Sequence, residues 1–387
     1  MANRVPAVIA SRLAGFGTTI FTEMSALALR TGSINLGQGF PDEDGPREVL
    51  EAAARALRDG HNQYAPLPGV PALLEAVADH QQRFYGLDVD PHTGVQVTFG
   101  ATEAIAAALL GLLEPGDEVV VFDPLYDSYG AGIAMAGARR SPVTLRPPDW
   151  YLDPGALEAA ITPRTRLLLL NTPHNPTGKV FDSAELEQIA AVCREHDLVA
   201  IADEVYEHLV YEGEHVPLAT LPGMQERTIT ISSIGKTFSA TGWKIGWATG
   251  PASLIAAVRA AKQYLSVAGG TPLQLASAAA LAMPDEFYEG LTAAYRAKRD
   301  RIGAGLEAAG LEPLPPAGTY FVNARVDGDG AAFCRELPER AGVVAIPTSV
   351  FYDDEEAGRS LVRFAFCKRD AVIDEAAARL ARAGAWS

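Results

Sequence analysis

What most constrains this chain is a rhythm of short, almost wholly apolar runs separated by helical stretches. The runs are Gly94–Phe99 (GVQVTF), Glu118–Phe122 (EVVVF), Arg166–Asn171 (RLLLLN), Leu198–Asp203 (LVAIAD) and Thr228–Ser232 (TITIS). They are too short for helices, and most lack the apolar–polar alternation of a half-exposed strand. Strands of that kind are buried on both faces, which requires a mainly parallel sheet covered by helices above and below. The intervening segments supply those helices: Glu48–Arg58, Ala101–Leu113 (stopped by Pro115-Gly116) and Ser183–Glu195. Beyond about residue 285 the pattern changes. A long charged helix, Phe287–Gly310, precedes shorter strand-like runs at Thr319–Ala324, Val343–Ile346 and Leu361–Phe366. A length of 387 residues exceeds what one core organises. The expectation is an α/β fold: a helix-sandwiched sheet over residues 46–284, and a smaller α+β domain built from 1–45 and 285–387.

Charge and composition remove several classes of function. A net charge of −16 disfavours nucleic acid as a partner, since phosphate backbones need basic surface. The longest apolar runs, such as Ala104–Leu113, are far too short to span a bilayer. The start, Met-Ala-Asn-Arg-Val-Pro, lacks a continuous apolar segment of signal-peptide length, so no secretory leader is expected. Cys193, Cys334 and Cys367 are widely spaced with no CxxC pair, which indicates reduced thiols in a cytoplasm. The seven histidines form no HxxxH or HxH pair, so no metal centre is expected, and His174 reads as structural.

In open α/β sheets functional groups gather at the carboxyl ends of the strands. Five unusual loops lie there, and Ser232-Ser-Ile-Gly-Lys236 is the most informative. No acidic residue occurs from Thr228 to Gly250, yet the stretch holds Lys236 and Lys244, two of only six lysines. A lysine with a depressed pKa is a nucleophile toward aldehydes, and a nearby cation depresses it further. Ser233 and Lys244 suit a phosphate, as do the free backbone N–H groups of a helix beginning at Ala101-Thr102. Asp203 ends an apolar strand, where an unpaired acid is costly and a protonated ring nitrogen would pair it. Tyr206 and Asn175 can donate to a phenolate oxygen, and Tyr126 offers a face to stack on a ring. These requirements are those of pyridoxal 5′-phosphate (PLP).

Taken together the loops are specific. The motifs Asn35-Leu-Gly-Gln-Gly-Phe-Pro-Asp42, Asn62-Gln-Tyr64, Asn175-Pro-Thr-Gly178, Asp203-Glu-Val-Tyr206, Ser233-x-x-Lys236, Gly242-Trp-Lys-Ile-Gly-Trp247 and Arg363-Phe resemble those of fold-type-I, class I/II aminotransferases over almost the whole chain. The resemblance implies a PLP-transferase fold with a mainly parallel sheet of the seven-stranded type. It implies that Lys236 carries the cofactor as a Schiff base and that Asp203 pairs the pyridinium. Tyr206 and Asn175 would bind the phenolate oxygen, and Tyr126 would stack on the ring. Ala101, Thr102, Ser233 and Lys244 would hold the phosphate, joined by Tyr64 from the neighbouring subunit of a homodimer. Arg363, Asn175 and the Gly39 backbone would take the substrate α-carboxylate. An amino acid and a 2-oxo acid would be the substrates, with ping-pong kinetics.

Two branches are similar: the kynurenine and glutamine transaminases, which share Thr237-Phe-Ser-Ala-Thr-Gly-Trp-Lys, and the actinobacterial N-succinyldiaminopimelate aminotransferases, which favour a role in lysine biosynthesis. The second matches in Gly37–Pro46, Gly100–Ala106, Arg259–Ser266 and Phe366–Asp370. Phe21, Thr102 and the small Ala268-Gly-Gly270 are expected in the substrate pocket, leaving room for a long side chain. The alternatives are a broad kynurenine, glutamine or methionine transaminase and a cysteine-S-conjugate β-lyase, which begins with the same proton abstraction. A nicotinamide dehydrogenase fails on context. Gly37-Gln-Gly39 is followed by Pro41 rather than a helix, and it precedes the first strand–helix unit. A DNA-binding regulator on this fold would need a further module, for which no length is left.

Overall fold

The computed structural model describes residues 9–17 and 19–383. In chain order the strands are β1 (Ile34–Asn35), β2 (Val95–Thr98), β3 (Glu118–Asp123), β4 (Arg139–Thr144), β5 (Thr165–Asn171), β6 (Val199–Asp203), β7 (Thr228–Ser233), β8 (Gly246–Thr249), β9 (Glu312–Leu314), β10 (Phe321–Arg325), β11 (Val343–Val344), β12 (Ile346–Pro347) and β13 (Leu361–Ala365). Seven of them form one sheet in the order β2-β8-β7-β6-β5-β3-β4. Within it β8 alone runs against its neighbours β2 and β7.

The apolar runs behave as their composition requires. Every residue of β3 and β7 is buried, and so is all of β5 except Arg166. One face packs under the helix Gly100–Leu112, through Ala104, Ile105, Ala108 and Leu109. The other packs under the helix Ser183–Glu195, through Leu186, Ile189 and Cys193. That helix starts at a reciprocal cap: Asp182 accepts from the N–H of Glu185, and Glu185 accepts from the N–H of Asp182. Truncating a fully buried Leu168 in this sandwich should cost about 2–5 kcal/mol.

Two strands of this sheet, β4 and β8, have no apolar run to announce them. β4 (RRSPVT) is an exposed edge that carries Pro142, a residue tolerated only where one side is unpaired. β8 (GWAT) is four residues long and takes its direction from its neighbours.

A second sheet, β12-β13-β10-β9, is antiparallel throughout. The run Val343–Ile346, expected to be one strand, is divided at Ala345. Its first half, β11, pairs in parallel with β1, and its second half, β12, pairs with β13. N-terminal residues thus complete the C-terminal layer, with Met24 and Leu36 inside a core they share with Phe321, Phe364 and Ile373.

Candidate active site

The carboxyl ends of β5, β6 and β7 open onto a cavity whose far wall comes from β10 and β13. Lys236 lies one turn beyond β7, in the short helix Ile234–Thr237. Its Nζ donates to Tyr320 Oη at 2.9 Å, and that hydroxyl donates onward to the Gly39 carbonyl at 2.6 Å. Burial lowers the Lys236 pKa to about 8. Asp203 opposes the shift, while the Lys244 and Arg363 charges add to it. An amine there is largely deprotonated only above that pH, well below the range of an ordinary lysine.

Asp203 closes β6, directly beside Asn171 of β5. Asn171 locks the strand end by donating to the Asp203 carbonyl at 2.8 Å. The carboxylate accepts from Tyr129 Oη at 2.6 Å and from the Val205 N–H at 3.3 Å. Burial pushes its pKa up, against these donors and the Lys236 charge. A cationic partner would relieve that cost. Tyr206 is buried three residues on, edge-to-face against Tyr320 at 5.2 Å, and burial drives its hydroxyl pKa upward. Tyr126 lines the cavity, its pKa raised by burial to about 12.

On the opposite wall Arg363 of β13 is 1% exposed. Its guanidinium donates to Asn175 Oδ1 at 2.9 Å and to the Gly37 carbonyl at 3.2 Å. Phe321, Phe351 and Phe21 surround it, with ring centroids 4.0, 4.8 and 5.4 Å from Cζ. Its Nε has no hydrogen-bond partner, and no carboxylate among the described residues forms a salt bridge with it. A buried cation with an idle donor beside a cavity is a receptor for an anion. Burial brings the Arg363 pKa down to about 10, against the opposing pull of Tyr206, Tyr320, Cys367 and Tyr126.

Between these walls lies a group of donors suited in kind to a phosphate. Ala101 and Thr102 occupy the first turn of the thirteen-residue helix Gly100–Leu112, where N–H groups are unpaired within the helix. Ser233 and Lys244 line the same end of the cavity. Lys244 is held in a left-handed conformation, φ 55°, and a Cβ on Gly100 would stand 3.0 Å from its Nζ. The donor set, a buried acid and a depressed lysine together fit PLP in kind and in arrangement.

Nearly all the residues expected from the sequence meet here: Phe21, Gly39, Ala101, Thr102, Tyr126, Asn175, Asp203, Tyr206, Ser233, Lys236, Lys244 and Arg363 all line the cavity. Tyr64 does not. It is 84% exposed on the surface of the chain. Ala268-Gly-Gly270, expected in the substrate pocket, is not among the cavity's lining residues either. Within one chain this segment backs onto Phe99, and a Cβ on Gly269 would stand 2.7 Å from the Phe99 ring. Three residues that touch the site escaped sequence reasoning: Tyr129 on Asp203, Tyr320 on Lys236, and Phe321 against Arg363. Only the spacing of Tyr126 and Tyr129, one helical turn apart, carried any signal for them. His174 is buried and hydrogen-bonded to Thr177 at 2.8 Å, and burial lowers its pKa to about 3.

Residues 31–380 match the family model described as aminotransferase class I and II. The chain is 54% identical over 385 residues to a probable N-succinyldiaminopimelate aminotransferase of Mycobacterium tuberculosis, covering 96% of this chain and 97% of the relative. The solved structure of that Mycobacterium tuberculosis aminotransferase matches with a TM-score of 0.95 over 97% of this chain and 100% of the other. A methionine aminotransferase of Escherichia coli is 43% identical over 380 residues, 97% of this chain and 98% of that one. Kynurenine–oxoglutarate transaminase 3 of the mouse is 39% identical over 401 residues, 95% of this chain and 88% of that one.

Proposed function

The chain belongs to the class I and II aminotransferases, and on that premise we propose that it moves the amino group of N-succinyl-L,L-diaminopimelate to 2-oxoglutarate with PLP bound at Lys236. One observation supports the cofactor above the others: a buried lysine of lowered pKa and a buried carboxylate of raised pKa stand at the ends of neighbouring parallel strands, on one cavity. PLP bound there supplies an electron sink for the carbanion formed when the substrate loses its Cα proton.

The chain's own residues do the rest. Asp203, fixed by Tyr129, would face the pyridine nitrogen and keep it protonated. Tyr206 and Asn175 would hold the phenolate oxygen, and Tyr126 would cover one ring face. The first-turn N–H groups of Ala101 and Thr102, with Ser233 and Lys244, would hold the phosphate. Arg363 would seat the α-carboxylate, oriented by Asn175 and the Gly37 carbonyl and aided by the backbone at Gly39. Lys236, freed when substrate binds, would take the Cα proton and return it as general base and acid. Tyr320 and the Gly39 carbonyl hold that amine in place.

The succinylated substrate rests on the 54% identity to the mycobacterial relative. Against it, the cavity's aromatic rim of Phe21, Tyr126 and Phe321 favours an apolar donor such as methionine or kynurenine. Comparing kcat/KM across these donors and glutamine decides. The succinylated donor should lead by more than about tenfold, equivalent to about 1.4 kcal/mol in the transition state. A lead of that size for another donor reverses the reading, and pyruvate release from a cysteine S-conjugate at a comparable rate would assign the β-lyase reaction.

Residues 46–284 form the cofactor-binding unit in this reading, with 1–45 and 285–387 as the smaller one, of which 1–8, 18 and 384–387 lie outside the described residues. The functional unit is a homodimer in which Tyr64 completes the partner's phosphate site. Its support is the exposure of Tyr64 and, on the same chain, of Tyr264, Leu265 and Val267. A fully active monomer at nanomolar concentration would remove it. Three free, buried cysteines suit a reducing cytoplasm.

A further inference from the structure

Behind the wall that carries Tyr206, a second group of side chains converges without a part in the reaction. His80 comes from the helix Pro71–Tyr85, while Glu207 and His208 follow β6 directly after Tyr206. The Nε2 atoms of His80 and His208 are 2.8 Å apart. One ring nitrogen of each histidine and one carboxylate oxygen of Glu207 lie within 4.8 Å of one another. We propose that His80, Glu207 and His208 form a binding site for a divalent transition-metal ion of the zinc class, held through the two Nε2 atoms and one Glu207 oxygen.

The donor set fixes the class of ion. Imidazole with a single carboxylate suits Zn²⁺, Co²⁺ and Ni²⁺, whereas Mg²⁺ and Ca²⁺ require a shell made of oxygens. At Zn–N distances of about 2.0–2.1 Å and a tetrahedral angle, the two nitrogens would stand roughly 3.3 Å apart. The rings therefore need to part by only about 0.5 Å from their present contact. Three protein ligands leave one coordination position open. His80 and Glu207 are buried and His208 is half-buried, so His208 is the side from which an ion enters.

The Glu207 carboxylate is held by two hydroxyl donors. Ser232 Oγ donates to one oxygen at 2.5 Å and Tyr85 Oη to the other at 2.6 Å, which fixes the carboxylate's orientation. Phe84 packs against both imidazoles with ring centroids 4.7 Å apart, and Tyr288 packs against His208 at 4.4 Å. The rival arrangement is two neutral rings sharing one proton and nothing more.

The test uses untagged holoenzyme, dialysed against a chelator and titrated by calorimetry with Zn²⁺, then with Mg²⁺. The expected result is one Zn²⁺ per chain with micromolar or tighter affinity and no response to Mg²⁺. His208→Gln, with the cofactor absorbance as a control for folding, should weaken binding by about tenfold or more. Co²⁺ read in wild-type protein needs no variant: a tetrahedral nitrogen–oxygen site gives strong visible bands without a thiolate charge-transfer band. Zn²⁺ uptake well below one equivalent, equal binding by folded His208→Gln, or a thiolate band pointing to a cysteine each overturn the assignment. Should His208→Gln not fold, the wild-type Co²⁺ spectrum decides alone.

Discussion

The two sheets that face each other across the cavity contribute different chemistry. The parallel sheet presents Lys236 and Asp203 from adjacent strand ends, both with pKa values displaced by burial. The antiparallel sheet presents Arg363 from β13 and Phe321 from β10, with Tyr320 immediately before β10. In the proposed reaction the first wall would hold the groups that move or stabilise a proton, and the second the groups that grip and position the substrate. Burial would tune reactivity in the first; in the second it strips water from a guanidinium, so that a substrate carboxylate could take its place. Catalytic loss should therefore fall in kcat on the first wall and in KM on the second.

The sharpest break between the walls is Lys236→Ala, which should abolish turnover while PLP is still retained non-covalently. Near wild-type activity in a steady-state assay would remove the parallel wall from the chemistry. Asp203→Asn comes next. Losing a paired charge in a desolvated site is worth about 3–5 kcal/mol, or roughly 10²–10⁴ in kcat. A loss below about tenfold would contradict its role. For Arg363→Lys the point charge stays and the planar fork goes. Charge-assisted bonds of about 1.5–3 kcal/mol translate into a KM raised by roughly 10–150-fold, with kcat changed far less. If kcat falls instead, the division between the walls is wrong.

Tyr320→Phe is the smallest and the most discriminating, because it connects the walls. One neutral hydrogen bond is worth about 1 kcal/mol, so a loss of several-fold is expected. Its second readout is pH. In cofactor-free protein, Lys236 reacts with an aldehyde only as the neutral amine, so labelling should climb as pH rises through about 8. The Tyr320 hydroxyl accepts from Nζ and so favours the ammonium form. Removing it should move the climb to lower pH, read by mass spectrometry of the Lys236 peptide. A climb that stays put would leave Tyr320 a merely structural role.

How much of this was legible follows from how locally each residue is specified. Lys236 and Asp203 end apolar runs, and the strand itself delivers them to the cavity, so sequence marks both. Tyr320 reaches Lys236 across 84 positions, in a turn between two short strands with no periodicity to mark it. His80 and His208 are 128 positions apart, so no spacing rule for metal ligands could have paired them. The same limit explains β4 and β8, which owe their place to partners rather than to composition. Ala268–Gly270 differs again: small residues read as cavity lining in the sequence make room, within one chain, for Phe99.

One contact bears on how this protein can change over time. At Gly246, a Cβ would stand 2.6 Å from the Gly100 carbonyl carbon and 2.7 Å from the Ala101 nitrogen. Strand β8 lies that close to the start of the helix whose first-turn N–H groups would hold the phosphate in the proposed reading. Neither glycine has a functional group, yet any side chain at 246 must push that helix start away. In a saturation-mutagenesis map, position 246 should look as intolerant as Lys236. Intolerance in such a map marks immovable backbone as readily as it marks chemistry.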